Sequence, residues 1–192
     1  MSNAGYKAEV KVVSQLEKAG IARFKRLNGE VVEFPINDRM TVFGFSTKTK
    51  VDLIVEGYRL QIKATGSKRA AIVNMVPARL LDRVCNEQML DVEQSLKAMN
   101  IINDLGKKIK LSDYFEKEEW RELINYFLFE GTATGQADPF MQATHLLEVD
   151  GDELVLIDKK EAFDHIWEGL EAEIRTRKDK VEPCLHIRYS AK

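Results

Sequence analysis

The chemistry in this chain concentrates in one short stretch, where an acid, Asp52, is followed by an amide, an apolar residue and a lysine in Gln61-Ile62-Lys63. Carboxylate and carbonyl oxygens hold a hard divalent cation, and a lysine beside them can position or deprotonate a water. Phosphodiester cleavage needs those parts, together with positive charge where the phosphate gathers negative charge in the transition state. In this reading Asp52 ligates Mg²⁺, assisted by the side-chain oxygen of Gln61 and the backbone carbonyl of Ile62, and Lys63 handles the water. The plain alternative is an acid at a strand edge paired with Lys63.

A β-hairpin is the element that must position these groups. Residues 51–55 (Val-Asp-Leu-Ile-Val) are β-favouring, Glu56-Gly57 is a turn signal, and residues 58–63 (Tyr-Arg-Leu-Gln-Ile-Lys) alternate as a half-buried strand does. Period-two alternation puts Gln61 and Lys63 on one face and Leu60 and Ile62 on the other. Upstream, the pattern predicts a helix over residues 6–19, with Tyr6, Val10, Val13 and Leu16 near its apolar face and Gly20 as its stop. Glu9 sits early in this helix, after Gly5, and is expected to reach the same metal cluster through water; otherwise it is a solvated helix acid.

Further elements follow from the same signals. Short strands are expected near residues 30–34, 40–45 and 71–75. Pro77 opens a helix carrying Leu80, Leu81, Val84 and Cys85 that runs on towards Ile102, and residues 117–130 form another before Gly131. A second hairpin crosses Asp150-Gly151, a helix covers residues 160–174, and residues 184–189 close as a strand.

Taken together, Gly5-Tyr6-Lys7-Ala8-Glu9, Asp52, Gln61-Ile62-Lys63, Ser67-Lys68-Arg69 and the stretch from Phe115 to Tyr126 ahead of residues 131–136 resemble the PD-(D/E)XK nucleases. Within that superfamily they are similar to the HinP/MspI group of type II restriction endonucleases, in which a neutral amide replaces the usual acid. The resemblance implies an α/β (α+β) fold with a central mixed sheet flanked by helices. It also implies Mg²⁺ dependence and cleavage of double-stranded DNA at a short GC-rich palindrome. This chain is shorter than those enzymes and its hairpin is tighter.

Base reading needs amide and guanidinium groups, and Lys68, Arg69, Asn74 and Gln136 are the candidates. A formal charge of -2 argues against a protein that coats DNA, although Lys48, Lys50, Lys63, Arg79, Arg83 and the basic run at 175–180 can make a cleft locally positive. Cys85 and Cys184 lack CxxC partners and are expected to be buried thiols, and the three histidines have no zinc-site spacing. A single domain spanning 1–192 is expected, with no membrane span or secretory signal, in a cytoplasmic protein that is a monomer or weak homodimer. Three rival readings remain open. One is a repair or junction nuclease that reads DNA shape, another is a non-catalytic DNA-binding module, and the last is a protein-interaction domain without nucleic acid.

Overall fold

The two-residue turn at Glu56-Gly57 pins the central hairpin. Both residues have positive φ, 48° and 84°, the combination whose twist matches that of the flanking strands. Strands β4 (Leu53–Val55) and β5 (Tyr58–Ala64) therefore pair with Val55 opposite Tyr58 and Leu53 opposite Leu60. The protein is described from a computed structural model, which covers residues 4–36, 40–42, 49–65, 70–132, 134–176 and 182–190.

In chain order the remaining elements begin with α1 (Ala4–Ala19), β1 (Ile21–Arg26), β2 (Val31–Pro35) and β3 (Met40–Val42). After the hairpin come β6 (Ala71–Pro77), α2 (Ala78–Glu87), α3 (Glu93–Leu105), β7 (Ile109–Lys110) and α4 (Glu118–Asn125). A π-helical turn at Tyr126–Glu130 leads into β8 (Gly131–Thr132) and β9 (Gly135–Gln136). The chain closes with β10 (His145–Asp150), β11 (Glu153–Asp158), α5 (Lys159–Ile166), β12 (Leu170–Thr176) and β13 (Pro183–Tyr189).

These strands form a seven-stranded mixed sheet ordered β2-β1-β11-β10-β5-β4-β3 and a four-stranded antiparallel sheet ordered β6-β13-β12-β7. In the larger sheet β1 runs parallel to β11 and β10 parallel to β5. The architecture is thus mixed α/β, as the sequence suggests, with a second sheet that it does not announce.

Alternation along the strands splits the core in two. Leu53, Val55, Leu60, Ile62, Leu147 and Leu156 pack with Val12 and Leu16 of α1. Their alternates Leu146 and Ile157 join a larger cluster with Trp120, Phe127, Phe163, Leu170 and Leu185. Leu60 and Ile62 thereby fix β5 beneath α1, leaving Gln61 and Lys63 to the other direction.

Several expectations need correction. Val10 is an exposed residue of α1, and Val12, with partly buried Val13, takes the core position instead, so the apolar stripe is rotated from the expected phase. Residues 170–174 are strand, not helix: α5 stops at Ile166, a single 3-10 turn follows, and β12 pairs with β13 along its whole length. The helix after Pro77 also does not run unbroken to Ile102. It ends at Glu87, and Met89, at φ 54°, turns the chain before α3 begins at Glu93. Strand β1 is an addition. Cys85 and Cys184 are buried and free, and no helix among the described residues is long and apolar enough to cross a membrane.

Gly57 tests the hairpin. A Cβ added there meets nothing within 4 Å, so Gly57→Ala carries only the conformational cost of positive φ, about 1 kcal/mol. Urea denaturation should show that loss with an unchanged m-value; equal stability would show that the turn does not constrain the hairpin.

Candidate active site

Backbone hydrogen bonding changes character at Asp52. Its N–H donates at 2.8 Å to the carbonyl of Leu60, the residue that pairs with Leu53, so Asp52 already departs from the regular register. The next rung is different: the Ile62 N–H donates to the Asp52 carboxylate oxygen Oδ2, at 2.7 Å. Upstream the chain peels away from β5, and the Lys50 N–H donates to the carbonyl of Met141 at 2.9 Å. Because the N–H and C=O of a strand residue point the same way, the Ile62 carbonyl also faces this gap beyond the end of β4.

Gln61 meets Asp52 just beyond the last paired residues, Leu53 and Leu60. Its Nε2 donates to Asp52 Oδ2 at 3.4 Å, a long contact. Its Oε1 is buried and has no hydrogen-bond partner among the described residues. A buried amide oxygen without a donor is costly, and here it lies beside a carboxylate.

Four ionisable groups converge on this gap. Burial raises the Asp52 carboxyl above its ordinary value, opposed by the charge of Lys63, the Ile62 N–H, Lys50 and Gln61. Lys63 is lowered by burial, opposed by Asp52 and Glu9. Glu9, from α1, is pushed up to about 7 by burial and then by the like charge of Asp52, while Lys63 pulls it down. Lys50 is lowered to about 7 by burial and by Lys63, with Asp52 acting the other way. Asp52 and Lys63 keep some accessible surface, whereas Gln61 and Lys50 retain only 7% and 6%.

The structure therefore brings Asp52, Gln61, Ile62, Lys63 and Glu9 to one place. Among the described residues neither Asp52 nor Lys63 forms a direct salt bridge; Asp52 Oδ2 accepts instead from the Ile62 N–H and from Gln61 Nε2. The simple ion-pair alternative is thus not the arrangement adopted. Two neighbouring carboxylates, Asp52 and Glu9, with a second Asp52 oxygen and an unpartnered amide oxygen, make a donor set that suits a hard divalent cation. No cluster of three His, Cys, Asp or Glu side chains occurs among the described residues, so any such site would also draw on neutral oxygens.

The residues expected to read bases are dispersed. Lys68 and Arg69, with Lys48, lie outside the described residues. Asn74 is half-buried in β6 of the smaller sheet, with Oδ1 accepting from the Met75 N–H and Nδ2 buried without a partner. Gln136 is exposed on β9, in the segment that returns towards Lys50 through Met141. Arg59 of β5 holds the same segment by donating to the Pro139 carbonyl at 3.0 Å. Lys50 is the site residue that sequence reading placed only among general basic candidates. Its signal is the two-residue offset from Asp52, which in extended chain puts both side chains on one side.

Comparison with known proteins identifies no relative: no family model, curated protein or solved structure matches the chain.

Glu9 offers a test of the desolvated cluster that does not depend on activity. Its folded-state value is near 7 against an ordinary 4.5, so between those limits the folded state holds the extra proton and Glu9 weakens folding increasingly as pH rises. Glu9→Gln in metal-free buffer should gain stability relative to wild type from pH 5 to pH 7.5. Glu9 is half-buried, and residual solvent screening limits the gain to about 1 kcal/mol. Urea midpoints at the two pH values measure it, and a pH-independent difference would place Glu9 in open solvent.

Proposed function

We propose that this chain is a Mg²⁺-dependent endonuclease that cleaves double-stranded DNA, built on a restriction-endonuclease-like version of its mixed sheet. The observation that carries this reading is that Asp52, Glu9 and Lys63 lie near enough to act on one another's charge, beside Gln61, whose amide contacts Asp52 and whose Oε1 is buried without a partner.

The residues divide the work. Asp52 is oriented by the Ile62 N–H, which fixes one carboxylate oxygen and leaves the other available. Asp52, Gln61 Oε1 and the Ile62 carbonyl would hold the cation, with Glu9 alongside. When bound, the cation supplies Lewis acidity at the phosphate. Lys63, its ammonium destabilised by burial, orients the attacking water and takes its proton, which a fully solvated lysine does poorly near neutral pH. The rigid hairpin contributes by holding these groups in place before substrate arrives.

The similarity of these segments to type II restriction enzymes makes a short GC-rich palindrome the first target class to test. Plasmid DNA incubated with the protein and Mg²⁺ should yield discrete fragments, and sequencing their ends gives the site. Asp52→Ala should lower cleavage at least about 1000-fold, the scale of losing a principal transition-state contact, while leaving the fold intact. Near-normal cleavage by this variant would remove the assignment.

Gln61 makes a second, thermodynamic prediction. An amide in place of an acid removes one negative charge from the site, so metal should bind weakly without DNA and more tightly when the phosphate supplies an anionic ligand. Coupling of about 1–3 kcal/mol is ordinary for such linkage. Gln61→Glu should strengthen Mg²⁺ binding to the free protein without a matching gain in turnover, since tighter ground-state binding does not favour the transition state. Calorimetric titration with and without a non-cleavable duplex decides it; equal Mg²⁺ affinity of the two free proteins would show that Gln61 is not a ligand.

A further inference from the structure

Lys50 is an amine held where its charged form is costly. It is 6% exposed, between Val51 of the larger core and the Met141 carbonyl that anchors its backbone. Among the described residues its side chain makes no hydrogen bond and no ion pair. Asp52, the acid nearest in sequence, directs Oδ2 to Ile62 and Gln61 instead. Burial disfavours the charged form of such a group, and an anion brought beside it restores that form.

The place of Lys50 narrows what that anion is. The side chain is close enough to Asp52 and Lys63 for both to act on its charge, so it borders the same gap. The carboxylates there have opposite demands to meet, from the proposed metal and from Lys63. A phosphodiester entering the gap brings negative charge to a wall that carries buried Lys50 and half-buried Lys63. The backbone tie to Met141 also means that the segment 139–141, itself held by Arg59, sets the position of Lys50.

We infer that Lys50 is a second lysine of the substrate site, binding a non-bridging oxygen of the scissile phosphate opposite Lys63. This rests on the nuclease reading, since it assigns a ligand to the same gap. Lys50 contributes charge and position, and the proton on the attacking water remains with Lys63.

The test uses the full chain. Lys50→Met, close in volume and free of the buried charge, should fold and should lower kcat at least 100-fold while KM changes less than tenfold. With Ca²⁺ replacing Mg²⁺, fluorescence anisotropy of a labelled duplex across a NaCl series should give a log–log salt slope shallower by about one, the loss of one phosphate contact. A residue that only supports the fold would lower the melting temperature and leave that slope unchanged. Wild-type cleavage with a Lys50→Met variant of normal kcat and normal slope would overturn this inference and spare the nuclease reading. A wild type that neither binds nor cuts DNA would overturn both. Independently of any substitution, acetylation of Lys50 in the wild type, followed by mass spectrometry, should fall at least fivefold when duplex saturates the protein. Equal labelling with and without duplex would also overturn the inference.

Discussion

One hydrogen bond organises the centre of this molecule: the Ile62 N–H donates to the carboxylate of Asp52 where an antiparallel ladder would use a backbone carbonyl. That substitution ends β4, opens a gap beside β5 and orients the acid within it. A backbone donor satisfied by a charged side chain is both stronger and more directional than a neutral rung. It is also sensitive to the protonation state of Asp52, because protonation weakens the acceptor. The hairpin end is held from the other face by Leu53, Leu60 and Ile62, packed under α1.

Electrostatics in the gap follow from its dryness. Glu9, Asp52, Lys50 and Lys63 would pair off in pairs of salt bridges at a surface, but here each is displaced from its ordinary proton affinity in the direction that burial dictates. Carboxylates are raised and lysines lowered, so the neutral forms of all four lie closer to physiological pH than in water. Groups tuned in that way cluster at functional sites more than in structural networks. Such a centre weakens the fold locally, and the usual explanation for keeping one is chemistry.

The hairpin was the most legible part of the sequence because three independent signals agreed on it: a Glu-Gly turn, β-branched residues and strict alternation. Other regions lacked that agreement. In Leu170-Glu171-Ala172-Glu173-Ile174 every residue type but the last favours helix, and only pairing with β13 makes it a strand; long-range contacts decided against local preference. Strand β1 was masked by its composition, since Ala22 is a weak inward signal and Ile21 faces solvent. Val10 and Val12 are both plausible core residues of α1, and the contact with β5 selects Val12. Asp52, Gln61 and Lys63 could be read from spacing. Lys50 carried only its two-residue offset from Asp52 as a signal, since its backbone is anchored by Met141, far along the chain.

The central claim is that the gap at the end of β4 is a metal site completed by a phosphate. Crystals grown with a duplex and soaked in Mn²⁺, which scatters anomalously, test it directly. The account predicts an anomalous peak within bonding distance, about 2.0–2.3 Å, of an Asp52 carboxylate oxygen and of Gln61 Oε1, shared with a phosphate oxygen. A well-ordered duplex with no peak there, or a peak that avoids both residues, would contradict it.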